Sequence, residues 1–187
     1  MENSRASVHT RLNVFTEEEC QRIIGIGTLQ ELEPGLSPGL KVDVMRRASM
    51  VRFLYSAEDS YWIFKRLWDT VNAIPHGENI TTLNFLQFTE YDALYGGHFK
   101  PHRDTDIFYH ATNVTDLKRY VTCVIQLSDP YLYDGGNLVL YPNKNEEIVG
   151  QRDRGCAIIF PSSMVHEAKK VTSGVRYSLV AWFEGPK

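Results

Sequence analysis

His102 and Asp104 stand two residues apart in the stretch Tyr95–Asp106, YGGHFKPHRDTD. On an extended segment, side chains two residues apart leave the same face. One imidazole and one carboxylate on one face supply two thirds of a two-histidine, one-carboxylate triad. That donor set holds Fe(II) at three sites and leaves the others open. The second histidine must come from elsewhere. Among His9, His76, His98, His102, His110 and His166, only His102 has an aspartate at i+2, and only His166 lies just beyond an apolar strand, Ile158 to Phe160. Their wide separation suits two strands that meet across a barrel. Asp106 is four residues from His102 and poorly placed to share its extended face, and His76, inside Pro75-His76-Gly77, reads as a plain loop histidine.

Open positions on a metal need an occupant. Arg176 follows His166 by ten residues and is flanked by apolar side chains on a late strand. A guanidinium in such a pocket grips a carboxylate with two parallel hydrogen bonds. Ser178 projects from the same face and could donate a third. A dicarboxylic keto-acid would then chelate iron with its keto-acid end and set its far carboxylate on Arg176. Tyr91 could offer a phenol to the same cosubstrate, with Thr122 and Gln126 as weaker candidates; each could instead be plain barrel lining, and Arg176 could instead form an ordinary ion pair. Zinc is the chemical rival, because zinc hydrolases also use two histidines and a carboxylate with an open position. The arginine favours iron, since it gives a reason for a keto-acid and so for oxygen activation. A zinc hydrolase would also need a general base beside the metal, and Glu167 points away from His166 on an extended segment.

The elements that must carry these residues are legible in the periodicity. Residues 1–13 form an arm or a first edge strand. Thr16 and Glu19 make a capping box for a helix that packs through Cys20, Ile23, Ile24 and Gly27. Glu33–Gly39 is a loop on turn chemistry. Met50–Tyr55 reads as a strand, and Arg46, Arg47 and Arg52 around it are better explained by a solvated strand edge than by a substrate contact. A second helix starts near Glu58 and packs through Tyr61, Phe64, Trp68 and Val71. Beyond residue 80 the pattern turns extended, with strands expected at Asn84–Tyr91, Tyr120–Leu127, Asn137–Tyr141, Gly155–Phe160 and Val175–Glu184. Alternation sorts their faces: Leu86 and Phe88 oppose Gln87, Thr89 and Tyr91. Val121, Cys123, Ile125 and Leu127 oppose Tyr120, Thr122, Val124 and Gln126, while Tyr177, Leu179, Ala181 and Phe183 oppose Arg176, Ser178, Val180 and Trp182. Strands with one greasy and one polar-bearing face suggest a barrel with a polar-lined interior and helices packed outside.

The bulk numbers narrow the classes of partner. A chain of 187 residues is expected to be one domain, with helical support over about 14–78 and a β core over about 80–185. A net charge of −3 argues against a nucleic-acid backbone as partner. No apolar run reaches the length of a membrane span, and MENSRASVHTRLNVF lacks the apolar core of a signal peptide. Cys20, Cys123 and Cys156 are odd in number and widely spaced, which fits neither a disulfide framework nor a CxxC zinc site. The expectation is a cytoplasmic chain with no nucleic-acid and no membrane partner. Nothing in the sequence speaks to oligomeric state.

Gly96-Gly97-His98-Phe99-Lys100-Pro101-His102-Arg103-Asp104 resembles the iron-binding strand of the prolyl 4-hydroxylase branch of the Fe(II)/2-oxoglutarate dioxygenases. Arg119 to Leu127 resembles the strand that follows it, Asp134 to Pro142 the GG-x-L turn and strand, and Phe160 to His166 with Arg176 to Trp182 the closing strands. The likeness runs in order over about residues 84–184. It implies a double-stranded β-helix (a cupin-like jelly roll), mostly β with supporting N-terminal helices. It further implies iron on His102, Asp104 and His166, 2-oxoglutarate on Arg176 with help from Tyr91 or Tyr95, and a pocket tryptophan at Trp182. Gln126 stands where oxygen-sensing members place a tyrosine. Residues 105–118 resemble a lid or substrate loop. The reaction implied is hydroxylation of a prolyl residue in a peptide or protein, with 2-oxoglutarate and O2 converted to succinate and CO2 and ascorbate as an accessory. A free amino acid or other small molecule is the alternative substrate, and a metal-free jelly-roll binding module is the alternative of a different class. Nucleic-acid demethylation is disfavoured, because Arg176 and Ser178 are followed by Val180 and Trp182 rather than by a second arginine.

Overall fold

The computed structural model describes residues 7–36, 42–106 and 116–187. In chain order the elements are β1 (His9–Arg11), α1 (Glu17–Thr28), β2 (Glu33–Pro34), β3 (Arg47–Ala48), β4 (Met50–Tyr55), α2 (Tyr61–Asn72) and β5 (Phe85–Asp92). There follow β6 (His98–His102), β7 (Leu117–Gln126), β8 (Tyr133–Gly135), β9 (Leu138–Asn143), β10 (Glu146–Val149), β11 (Ala157–Pro161), β12 (Val165–Ala168) and β13 (Val171–Pro186). Two antiparallel sheets result. The larger has the order β1-β11-β7-β13-β5-β4-β2, with β8 also pairing β13, and the smaller has the order β10-β9-β12-β6-β3. Mostly β, two sheets with helices on one outer face, this is the jelly roll expected.

The alternation along β5, β7 and β13 explains the layers. Leu86, Phe88, Val121, Cys123, Ile125, Leu179, Ala181 and Phe183 point outward into one buried cluster with Ile23 of α1 and Ile63, Phe64, Leu67 and Val71 of α2. Their neighbours on the other face point between the sheets. Thr16 caps α1 as expected: its hydroxyl accepts from the Glu19 N–H, and the Glu19 carboxylate accepts from the Thr16 N–H. On α2 the stripe differs from expectation. The helix begins at Tyr61, so Tyr61 lies in its first turn and is exposed, while Ile63 and Leu67 take the buried positions beside Phe64 and Val71.

Three other expectations change. Glu33–Pro34 is not loop but a short strand pairing with β4. The segment expected as helical support contributes β3 besides the strand expected at Met50–Tyr55 (β4), and both hydrogen-bond into the two sheets. Arg47 is no solvated edge: only 2% of it is exposed, because β3 pairs with β6 and turns the side chain inward. Its guanidinium lies over the Phe99 ring at 4.4 Å and donates to Ser49 Oγ and to the Leu36 carbonyl. Most of the lid expected at 105–118 lies outside the described residues. No helix among the described residues is long and apolar enough to cross a membrane.

Candidate metal and cosubstrate site

His102 and His166 sit directly opposite each other on β6 and β12 of the smaller sheet. They are therefore neighbours within one sheet, not partners across a barrel. Asp104 does not share the strand with His102 either. It begins a one-turn 3-10 helix (Asp104–Asp106), where its N–H donates to the Ser162 carbonyl at 3.0 Å. The turn swings the carboxylate back toward the imidazoles. His102 Nε2 lies 3.7 Å from Asp104 Oδ1, and His166 Nε2 lies 3.6 Å from Oδ2. Asp106 stays exposed, and Glu167 points away to Tyr141 and Lys169.

The tautomers are fixed by the backbone. His102 Nδ1 is 2.8 Å from the Lys100 carbonyl and His166 Nδ1 is 3.0 Å from the Met164 carbonyl. A carbonyl only accepts, so each Nδ1 carries a proton, and in the neutral ring each Nε2 presents its lone pair to the shared centre. Burial, reinforced by the neighbouring His166, pushes His102 down to about 3, which keeps its ring neutral at ordinary pH. Burial alone would raise Asp104, but the two imidazoles, Arg119 and the Thr122 hydroxyl together hold its carboxyl below the usual value. Phe99 stacks on His102 with centroids 3.5 Å apart, and the Phe160 ring meets His166 edge-on at 4.8 Å.

Ligand atoms of the three residues all lie within 4.8 Å of one another. The two nitrogen-to-oxygen separations are shorter than twice a metal–ligand bond of about 2.1 Å, so one ion can reach each pair. Two imidazoles and one carboxylate, buried and turned toward a common point, fit a ferrous ion.

One cavity connects this centre to Arg176, Tyr91, Ser178 and Trp182, with Gln87 and Arg47 also in its wall. Arg176 is 2% exposed; its Nε and Nη2 donate to Gln126 Oε1, and its guanidinium lies 5.3 Å from the Tyr91 ring. The Tyr91 hydroxyl bonds to none of the described residues. Tyr95 is 42% exposed, donates to the Glu90 carbonyl and takes no part in the wall, so the cavity tyrosine is Tyr91. Thr122, expected as a cosubstrate contact, instead donates to Asp104 Oδ2.

Four residues of this region were not named as site residues from the sequence. Arg119 donates to the Asp104 carbonyl and lies over Trp182 at 3.9 Å. Ser162 accepts from Asp104 through its carbonyl and bonds Thr122 through its hydroxyl. Arg47 needed a long-range pairing to be found. Gln87 was already on the polar face by alternation; its amide nitrogen donates to Thr89, and its oxygen has no partner among the described residues.

The sequence pattern of the 2OG-Fe(II) oxygenase superfamily matches residues 86–184. A PKHD-type hydroxylase of Colwellia psychrerythraea is 31% identical over 101 residues, covering 54% of this chain and 44% of that protein. Another from Stenotrophomonas maltophilia is 32% identical over 89 residues, covering 48% and 39%. The chain thus spans about two fifths of the length of the curated relatives it matches. Among solved structures, a prolyl-4-hydroxylase from Pseudomonas putida superposes with a TM-score of 0.72 at 22% identity, over 96% of this chain and 94% of that one. A prolyl hydroxylase from Trichoplax adhaerens, in complex with a hypoxia inducible factor oxygen degradation domain peptide fragment, gives 0.73 at 19% identity, over 97% and 84%. These structures share the fold. With its sequence matched over more than half its length, the chain belongs to the 2OG-Fe(II) oxygenase superfamily, whose cofactor is Fe(II) and whose cosubstrates are 2-oxoglutarate and O2.

Proposed function

We propose that this chain is an Fe(II)- and 2-oxoglutarate-dependent hydroxylase acting on prolyl residues of a peptide or protein. The observation that carries the reading is one buried cavity holding three converging metal donors at one place and an arginine at another. The names of the relatives and the fold shared with prolyl hydroxylases support proline as the target. The three cysteines are unpaired and buried, which supports a reducing, cytoplasmic setting.

His102, Asp104 and His166 would hold the iron, and Arg176 the far carboxylate of 2-oxoglutarate. Bound iron supplies the oxidising chemistry, using the keto-acid and O2 to insert oxygen into a C–H bond. Everything else is positioning by the chain. On β13 the residues Arg176, Ser178, Val180 and Trp182 line one wall in sequence, and Thr122 of β7 pairs with Trp182 while Gln126 pairs with Ser178. Thr122, which touches the metal carboxylate, and Gln126, which touches Arg176, are four residues apart, about 13 Å along the strand. That offset lets the two ends of a dicarboxylate be read by different groups. Val124, Leu138 and Val180 line the space between and keep water from it. Tyr91, whose ring lies 5.3 Å from the guanidinium and whose hydroxyl bonds to none of the described residues, would donate to the same carboxylate.

Incubation with Fe(II), ascorbate, 2-oxoglutarate and proline-containing peptides should yield succinate and a one-oxygen mass gain on proline, both absent in Asp104→Ala. Gain confined to free amino acids would move the assignment to a small-molecule hydroxylase. Succinate release from no substrate, together with no Fe(II)-dependent change in stability, would sink the oxygenase reading.

A further inference from the structure

Gln126 lies at the end of β7, 2% exposed, with both ends of its amide in use. Its Oε1 accepts from Arg176 Nη2 at 2.9 Å and from Nε at 3.3 Å. Its Nε2 donates to the Gln151 carbonyl at 3.2 Å. This orientation cannot be reversed: a guanidinium only donates and a carbonyl only accepts, so a flipped amide would lose every bond. One amide N–H bonds to none of the described residues, but Gln126 does not line the cavity that would hold a ligand. What it does is occupy one edge of Arg176.

A guanidinium has two edges that can grip a carboxylate with parallel hydrogen bonds: the Nε–Nη2 side and the Nη1–Nη2 end. Gln126 takes the first. At the second, Nη1 bonds to none of the described residues, and Nη2, which gives one hydrogen to Gln126, keeps its other. The rest of the side chain is walled in. Gly136, at φ +65, leaves so little room that a Cβ there would meet Arg176 Cδ at 3.1 Å, and the Tyr91 ring covers the guanidinium from another side.

We propose that Gln126 is a positioning residue for the cosubstrate: it anchors Arg176 so that the Nη1–Nη2 end faces the far carboxylate of a dicarboxylic 2-oxo acid. It acts through Arg176 and does not touch the ligand. The inference rests on the functional reading above, and it predicts where specificity comes from. An arginine held in one rotamer loses less freedom on binding than a mobile one, which sharpens the preference for a dicarboxylate over a monocarboxylate of the same length.

The test is calorimetric titration of the Mn(II)-loaded full chain with 2-oxoglutarate and, separately, with 2-oxopentanoate, which has the same five-carbon 2-oxo acid skeleton and lacks the far carboxylate. Gln126→Met and Gln126→Leu should each weaken 2-oxoglutarate about tenfold, the scale of ordering one long side chain. They should leave 2-oxopentanoate and Mn(II) affinity unchanged. Gln126→Glu should weaken 2-oxoglutarate further still, because an internal carboxylate would pair with Arg176 and compete. A 2-oxoglutarate preference retained within about twofold in the Met and Leu variants would overturn the proposal. So would an equal loss of both acids, or loss of Mn(II) binding, in both variants, either of which would make Gln126 a residue of the fold alone. A wild-type chain that did not prefer 2-oxoglutarate over 2-oxopentanoate would instead remove the functional reading on which the proposal stands.

Discussion

Thr122, on the larger sheet, donates its hydroxyl hydrogen to Asp104 Oδ2, beyond the end of a strand of the smaller sheet, across 2.7 Å. A threonine has one such hydrogen, so the 2.9 Å contact between Thr122 Oγ1 and Ser162 Oγ must be donated by Ser162. The result is a buried relay, Ser162 to Thr122 to Asp104, that aims the one acidic ligand at two imidazoles. The site is thus assembled across both sheets, and its precision depends on how they pack.

Thr122→Val keeps the shape and β-branching of the residue and removes only the relay. Outer hydrogen bonds to metal ligands are worth about 10- to 100-fold in affinity. Mn(II) affinity should fall by that amount in calorimetric titration, while the circular dichroism of the sheets stays that of the wild type. An unchanged Mn(II) affinity would mean that Asp104 is held by its backbone turn alone.

The metal-free protein should lose stability in acid through His102. Its ordinary value is 6.5 and its folded value about 3. Between the two the unfolded chain takes up a proton that the folded chain refuses, so stability falls as pH falls through that window. Asp104, held below its ordinary 3.8, adds to the loss at the acid end. Urea midpoints measured from pH 7 down to pH 4 should decline steadily, and His102→Leu should flatten the slope. A wild-type profile that is flat from pH 6.5 to 4 would show that the ring is not buried as a neutral base.

Much of this was legible before any coordinates, and what was not has physical reasons. Long strands betray themselves: alternation along β5, β7 and β13 separates the apolar face that packs under the helices from the inner face, although Tyr120, expected opposite that apolar face, packs on the helical cluster too, and Thr89, Thr122 and Gln126 lie on the inner face without lining the cavity. The capping box at Thr16 is local chemistry and reads directly. β6 and β12, of five and four residues, are too short for alternation to reveal, although they carry both histidines. Asp104 could be named as a candidate ligand from its type and spacing, and it does converge with both histidines. Its actual mode of delivery, a turn pinned to the Ser162 carbonyl, depends on a segment distant in sequence. Arg47 is the same kind of miss. Nothing local distinguishes a charged residue at a solvated edge from one buried by a two-residue strand pairing with β6. Tyr61 was misplaced because an aromatic stripe outweighed Ile63 and Leu67, whose burial follows from a helix start three residues later.

Tyr91 separates stability from function. Its ring is buried against Arg176, but its hydroxyl bonds to none of the described residues. Removing a hydrogen-bonding group that has no protein partner should cost the ligand-free fold little, within about 0.5 kcal/mol, since typical losses come from bonds actually broken. Under the proposed function the same hydroxyl would donate to the carboxylate on Arg176, and a hydrogen bond to a charged group contributes about 1.5–3 kcal/mol. Tyr91→Phe should therefore leave the urea midpoint of the metal-free chain unmoved and weaken 2-oxoglutarate binding to the Mn(II) form by roughly 10-fold or more. Binding of 2-oxopentanoate should not change. If both acids weaken together, the hydroxyl acts near the metal instead; if neither does, Tyr91 is lining, and Arg176 takes the far carboxylate without it.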